Sequence, residues 1–249
     1  MKLHQVFFIY YAAGACYIAS AATSRSKAAL VRFILPAGIL LNILFLAGRA
    51  FSAGIFLPLA IVEEPYILPL CLAVLHELTR RKLSEDNHAP ALIPLVALFW
   101  CASLFCQRWI LPPSAKSDTL FCFLFFLTET AAHACFFAAA WFAARHIWRD
   151  DAGKLYHSIA VWGFVLFSAS QISGAIWCYL GWSAPFMWSN RHLQTAAVWV
   201  LYANYIHLRF IEGWSHRKKA WLLMAGATIV LTFAIWGLLV ELTMHRVGG

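Results

Sequence analysis

Charged side chains are scarce in this sequence. Only 12% of its 249 residues are Asp, Glu, Lys or Arg, whereas 62% are hydrophobic. No polar stretch is long enough to bury a core of its own, which excludes a separate soluble domain. This composition lies far outside the range of soluble globular proteins and is typical of a polytopic membrane protein.

Several motifs that would indicate particular chemistries are also missing. The seven cysteines form no Cys-x-x-Cys motif, so we interpret them as small apolar residues rather than redox thiols or sites of covalent cofactor attachment. The sequence contains no phosphate-binding loop, no nucleotide-binding glycine fingerprint and no Ser/His/Asp arrangement. The net charge of +8 is spread over short loops and forms no contiguous patch, which argues against nucleic-acid binding.

Eight apolar runs are long enough to cross a bilayer, since about 20 residues suffice. They cover residues 5–23, 30–48, 60–78, 91–110, 122–144, 157–178, 195–211 and 221–243. We therefore predict an all-α polytopic protein with about eight transmembrane helices and a single integral membrane domain over residues 1–249. The first run is interpreted as a span rather than a cleavable signal peptide, because it is long and basic residues follow it.

Positive charge is concentrated in alternate loops. Most of the 19 lysine and arginine residues lie in or beside the first, third, fifth and seventh connections, namely Arg25, Lys27, Arg32, Arg80, Arg81, Lys82, Arg145, Arg149, Lys154, Arg209, Arg217, Lys218 and Lys219. The positive-inside rule places these loops in the cytoplasm and both termini outside. We therefore expect a bacterial inner-membrane protein with periplasmic termini, in which the loop before the seventh run faces the periplasm.

That outward loop is rich in aromatic residues. Within segment 173–209, we expect a short loop to carry four large rings followed by a short polar run, namely Trp177, Trp182, Phe186 and Trp188, then Ser189, Asn190, Arg191 and His192. Pro185 prevents a single helical stripe, so we expect an aromatic shelf at the membrane–water boundary. An ordinary aromatic belt is one interpretation. A cation and an imidazole directly after the rings favour the other, a ligand shelf for a flat, apolar, anionic molecule.

Four of the ten histidines are candidate ligands because of their depth in or beside the predicted spans. His133 and His245 form a candidate outer pair, and His76 and His207 a candidate inner pair. Neutral imidazole is a common axial ligand of haem iron, so each pair is a candidate bis-His haem site. The alternative for each histidine is a hydrogen-bonded packing residue. His192 is left open as a ligand or a solvated side chain, and we expect it to matter less.

Acidic residues near the spans allow two interpretations. Glu129 and Glu241 each precede a candidate histidine by one helical turn, so each pair shares a helix face and permits either a hydrogen bond or a proton path. Glu63 and Glu64 open the third run. They are either acids that support a ligand site from behind its direct contacts or solvated charges at a helix start, where the helix dipole favours carboxylates, and we favour the solvated interpretation.

Segment 173–209 resembles the WWD-domain segment of the CcsA-type cytochrome c assembly family, to which HemX-like proteins also belong. The family's G-A-I-W falls at 174–177, its later loop tryptophans at Trp182 and Trp188, and the following helix keeps its register to His207. Residues 48–66 resemble the family's R-x-x-x-G-x-x-P-L-x-x-x-x-E-S segment. One departure is clear. Where the family has Trp-Asp-Pro-Lys-Glu, residues 188–192 read Trp-Ser-Asn-Arg-His, and the loss of both acids argues against full synthase activity.

The resemblance implies haem handling. Family members hold haem at an outward-facing WWD surface and present it to apocytochrome c, together with a CcsB/ResB-like membrane partner. It implies non-covalent haem b with a set of site residues, namely His133 and His245 as outer ligands, His207 on the helix after the loop, Trp177, Trp182 and Trp188 against the porphyrin, and Arg191 on a propionate. Membership of a cytochrome c haem lyase complex stays open. The other interpretations are a b-type electron-transfer subunit with His76/His207 and His133/His245 haems, and a HemX-like regulatory protein.

Overall fold

The computed structural model describes residues 3–24, 28–53, 63–85, 92–106, 119–149, 155–211 and 213–247. Within these ranges the α-helices are α1 Leu3–Thr23, α2 Ala28–Ala53, α3 Glu64–Glu85, α4 Ile93–Ser103, α5 Leu120–Arg149, α6 Leu155–Trp182, α7 Asn190–His207 and α8 His216–Val247. A short 3-10 turn, Leu208–Phe210, follows α7. Each predicted apolar run overlaps one of these helices within the described ranges, which confirms the all-helical class.

Five helices in the described ranges, α1, α2, α5, α6 and α8, are long and apolar enough to cross a membrane. The 28 residues of α6 extend over ~42 Å at the α-helical rise, more than the bilayer core of about 30 Å. By contrast, the 11 residues of α4 extend over only ~17 Å. The chain is therefore an integral membrane protein with several candidate spans, while the count of eight spans stays a prediction.

The chain divides into two compact units, 1–115 and 116–249. In the first unit, α1 packs against α2 and α4, and α3 packs against α4 and α2. Its core is aromatic: the Tyr10 and Phe45 ring centroids are 4.4 Å apart, and Tyr66 meets Tyr10 edge-on at 5.3 Å. The prediction of one integral membrane domain stays a prediction.

The first unit buries an ion pair that the sequence did not reveal. Arg49 of α2 is fully buried, and its Nε donates to Oε2 of Glu63 at 3.0 Å, with a second contact between Nη2 and Oε1. The guanidinium carbon lies 5.0 Å from the ring centroid of Tyr66. The expectation that Glu63 is a solvated charge is therefore wrong. A carboxylate can be buried here because a paired guanidinium offsets its desolvation cost.

In the second unit, α5 packs along α6, and α8 packs against α5 and α7. Two glycines of α6 allow the close approach to α5. A Cβ at Gly163 would lie 2.8 Å from the Phe136 ring, and one at Gly174 would lie 2.8 Å from the Phe125 ring. Because Gly174 has no side chain, Phe125 can reach the end of α6 where the tryptophan-rich segment begins.

Helix α6 extends further than the predicted span. It continues to Trp182, so Trp177 and Trp182 lie on the helix and the loop itself carries Phe186 and Trp188. The expectation that all four rings lie in the loop is thus corrected. Pro185 restricts only the residue before it and itself, which leaves the chain helical up to Trp182. The next residue, Ser183, has a φ of 57°, which turns the chain into the loop.

Candidate functional site

A cavity of about 330 Å³ lies where α5, the end of α6, the loop and the start of α7 meet. Its walls are mainly apolar and include Phe125, Trp177, Cys178, Phe186, His192 and Trp199. This volume is at the lower end of the range for small-molecule sites, which are typically apolar with a few oriented polar groups. The cavity is therefore a candidate binding site within the second unit.

Aromatic contacts hold the cavity walls in place. Trp177 stacks on Phe125 with 5.8 Å between ring centroids, and Trp182 meets Trp177 edge-on at 5.5 Å. Across the loop, Phe186 meets Trp188 edge-on at 5.4 Å. Trp177 therefore lines the cavity, whereas the predicted site residues Trp182 and Trp188 contact the lining rings from outside. Trp188 is 83% exposed, and the position of this surface at a membrane boundary stays a prediction.

Trp199, on α7, forms a further wall. Its indole Nε1–H donates to the Ser168 hydroxyl of α6 at 3.0 Å, and its ring lies 5.4 Å from that of Phe164. The hydrogen bond satisfies the one polar atom of the indole and fixes its orientation. Trp199 thereby joins α7 to α6 below the loop.

Arg191 supplies the positive charge of the cavity wall. Its Nη2 donates to Oε2 of Glu129 at 2.7 Å, and its guanidinium carbon lies 5.2 Å from the centroid of Phe125 and 5.4 Å from that of Phe126. Glu129, on α5, is buried, whereas Arg191 is partly exposed. A guanidinium has five N–H donors, so one bond to Glu129 leaves donors for an anionic ligand.

His192 presents one ring nitrogen to the cavity side and the other to the helix cap. Its Nδ1 lies 2.8 Å from Ser189 Oγ, and its Nε2 lies 3.5 Å from Cys178 Sγ. Ser189 is the N-cap of α7, and its hydroxyl also accepts the backbone N–H of His192. We assign the proton to Nδ1 from this network, which leaves the Nε2 lone pair towards Cys178.

The electrostatic surroundings keep the His192 imidazole neutral. Burial, and after it the positive charge of Arg191, lower the pKa of His192 below its ordinary value. A neutral imidazole with its Nδ1 proton engaged is the form that ligates metals through Nε2. The structure thus gives His192 a more central place than the sequence suggested.

The structure describes the side chain of only one member of the outer histidine pair, His133. His133 lies on α5 one turn after Glu129; its side chain is buried, its ring centroid lies 5.9 Å from that of Phe167, and it does not line the cavity. The side chain of His245, at the end of α8, lies outside the described residues, as does that of Glu241. Their roles as haem ligands stay predictions.

The inner pair involves both units. His76 is buried on α3 in the first unit, and His207 is exposed at the end of α7 in the second. His207 Nδ1–H donates to the Ala203 carbonyl at 2.7 Å, which leaves Nε2 available as an acceptor or ligand. Each unit is described by itself, so the pairing of His76 with His207 also stays a prediction.

Several residues of the cavity carried no signal in the sequence. Phe125 and Cys178 lie inside apolar runs, where they cannot be distinguished from packing or lipid-facing residues, whereas Trp199 lies on the helix whose register the family resemblance follows. The one local signal was Ser189, a favoured N-cap residue directly before a helical run. Ser189 stands where the WWD pattern has aspartate, another favoured N-cap residue, so the start of α7 retains a cap without the acid.

Comparison with known proteins gives a partial match. No family model and no solved structure matches the chain. It is 33% identical over 93 residues to the cytochrome c biogenesis protein CcsA of Prochlorococcus marinus (strain MIT 9303), covering 37% of this chain and 29% of the relative. The corresponding CcsA of Synechococcus sp. (strain RCC307) is 31% identical over 93 residues, covering 37% of this chain and 30% of the relative.

The matched stretch spans about three tenths of the length of these curated relatives, 29% and 30% respectively. A third, from Prochlorococcus marinus (strain AS9601), is 34% identical over 93 residues, again covering 37% of this chain and 30% of the relative. These identities confirm the resemblance at the level of the family: over 93 residues, the chain is homologous to the CcsA cytochrome c biogenesis proteins.

Proposed function

We propose that this protein binds haem b non-covalently at the cavity and holds or presents it at the outer face of the inner membrane during cytochrome c maturation. One observation carries the proposal: a single apolar cavity brings together flat aromatic walls, the Arg191 guanidinium and the neutral His192 imidazole. The relatives that the chain matches are named as cytochrome c biogenesis proteins. That relation favours haem over other flat, apolar anions.

The side chains that line the cavity fit haem in both shape and chemistry. Trp177, Phe186 and Trp199 offer flat apolar surfaces for a porphyrin face, and Arg191 can pair with a propionate through the donors that Glu129 does not use. His192 Nε2 can ligate iron. Because about 330 Å³ is at the small end of ligand sites, the cavity would cover one part of a haem and leave an edge outside.

An uncovered edge suits presentation to a second protein. Bound haem would supply the vinyl groups to which the thiols of an apocytochrome c become attached. Trp188, exposed at the rim, would border that edge. The proposed partners are an apocytochrome c and a CcsB/ResB-like membrane protein, and participation in a haem lyase complex follows from the same relation.

The remaining predictions belong to this proposal. They are a single eight-span domain with a WWD-like segment at 173–209, an outward-facing tryptophan loop, outer ligands His133 and His245, and an inner site at His76 and His207. His192 joins the outer candidates, because it is the imidazole that lines the cavity.

The test is an optical spectrum of the detergent-purified protein, oxidised and then reduced with dithionite, with pyridine extraction to count haem. We expect a b-type spectrum at about one haem per chain, and a clear loss of haem in His192→Ala. His216→Ala is the matched control, since His216 is exposed at the start of α8 and does not line the cavity. Absence of haem from the wild type, or equal haem in both variants, would contradict the proposal.

A further inference from the structure

Cys178 and His192 lie next to each other on the cavity wall, and both are residue types that can ligate metal ions. Cys178, on α6, is 4% exposed, and its Sγ lies 3.5 Å from Nε2 of His192 at the start of α7. We propose that this pair binds one metal ion of the zinc class through Sγ and Nε2. Thiolate and imidazole are the ligands that such ions prefer.

The separation of the two atoms matches one edge of a tetrahedral site. Zinc lies about 2.3 Å from a thiolate sulfur and about 2.05 Å from an imidazole nitrogen. At a tetrahedral angle these bonds place sulfur and nitrogen about 3.6 Å apart. The observed 3.5 Å therefore needs almost no movement when an ion replaces the proton between the two atoms.

The imidazole is already oriented for this role. Nδ1–H donates to Ser189 Oγ, and Ser189 is fixed as the N-cap of α7, so Nε2 keeps its lone pair towards Cys178. Ligating histidines generally donate their second ring N–H in this way, which fixes the tautomer and the ring orientation. The neighbouring Phe186 ring, edge-on at 5.2 Å, restricts rotation of the imidazole further.

The charge balance also permits an ion. On binding, one sulfur–metal and one nitrogen–metal bond form, the thiol proton leaves to solvent, and no atom changes its oxidation state. Arg191 lies within electrostatic reach of both groups. The salt bridge between Arg191 and Glu129 offsets the repulsion between the Arg191 guanidinium and the incoming ion.

The site would be open rather than structural. In the part of the chain that the structure describes, no group of three or more His, Cys, Asp or Glu side chains is placed to hold a metal ion. With two protein ligands, two of the four tetrahedral positions remain for water or an external ligand from the cavity, one more than in a catalytic zinc site with three protein ligands. If His192 Nε2 also ligates haem iron, which rests on the proposed function, the ion and haem exclude each other.

The test uses Co²⁺ as an optical substitute for Zn²⁺ in the haem-free, full-length protein, kept reduced and anaerobic in detergent. We expect a thiolate-to-cobalt charge-transfer band that saturates at about one equivalent and disappears when Zn²⁺ is added. Cys178→Ser should lose the band, and His192→Ala should weaken cobalt binding at least about 10-fold. Cys135→Ser, another buried cysteine of the same unit, is the matched control and should keep the band.

The proposal fails if the wild type shows no band, or if Cys178→Ser retains it. Circular dichroism of each variant verifies that its helices are intact, and His192→Ala provides a second test if Cys178→Ser does not fold. Preloading with Zn²⁺ should lower haem uptake in the wild type but not in Cys178→Ser. A cobalt band in a protein that takes up no haem under any condition would overturn the haem proposal and support the metal site.

Discussion

Replacing Glu129 with glutamine separates two effects of the Arg191–Glu129 pair, its contribution to stability and its control of the charge that Arg191 offers to a ligand. The Glu129 side chain is 6% exposed and that of Arg191 is 33% exposed, with 2.7 Å between Nη2 and Oε2. Removing one partner of a fully buried pair costs about 3–5 kcal/mol, whereas an exposed pair contributes about 0.2–1 kcal/mol. Because a third of Arg191 reaches solvent and Phe125 still contacts it, we expect Glu129→Gln to destabilise the protein by about 1–2 kcal/mol.

The same substitution should strengthen the binding of haem. Glutamine can still accept the Arg191 N–H, so the guanidinium keeps its place, but its charge is no longer neutralised. A propionate about 6 Å from the lost charge would gain at most ~2.8 kcal/mol at an effective dielectric constant of about 20. Solvent screening at Arg191 reduces this to about 1 kcal/mol, or about a fivefold lower Kd for haem.

The assay is a spectroscopic haem titration of the wild type and Glu129→Gln, repeated with haem dimethyl ester, in which both propionates are uncharged. Tighter binding should appear with haem and not with the ester. Thermal unfolding in the same detergent measures the loss of stability. Equal changes for haem and ester, or weaker binding of both, would refute the placement of a propionate at Arg191.

Three further predictions follow from single side chains. The surroundings of His192 lower its pKa, so protonation of the imidazole should weaken haem binding only below pH about 6.5, the ordinary histidine value. A titration of the haem Kd against pH should show this dependence in the wild type and lose it in His192→Ala. Arg49→Met leaves Glu63 buried without its guanidinium and should lower stability by about 3–5 kcal/mol, while adding Glu63→Leu should restore most of it, as measured by thermal unfolding. Ser189→Ala removes the N-cap of α7 and should cost about 1 kcal/mol, whereas Ser189→Asp should retain the stability of the wild type.

The helices follow from the sequence because their causes are local. An apolar run of about 20 residues has one favourable conformation in a bilayer, since a helix satisfies every backbone hydrogen bond internally. Pro185 indicated a loop between the sixth and seventh runs, but the predicted spans, 157–178 and 195–211, made this loop four residues too long at the α6 end and five at the α7 end. The tryptophan-rich segment and its family resemblance also required only the order of residues.

The partners of the polar residues required the tertiary structure. Arg49 and Glu63 are separated by 14 positions, and Arg191 and Glu129 by 62, so neither pair shares a helix. Each buried carboxylate needs a cation to offset its desolvation, but the sequence does not show which cation meets it. The solvated interpretation of Glu63 was wrong for this reason.

The proximity of Cys178 and His192 also depends on the tertiary structure and not on the local sequence. From the sequence alone, the Cys178 thiol was interpreted as an apolar residue in a span, and the His192 imidazole was left open as a ligand or a solvated side chain. Only the packing of α5, α6 and α7 brings the two within 3.5 Å on one cavity wall. Hydrophobicity along the chain determines where each helix lies, whereas the face that each helix turns to its neighbour depends on contacts such as that between Gly174 and Phe125.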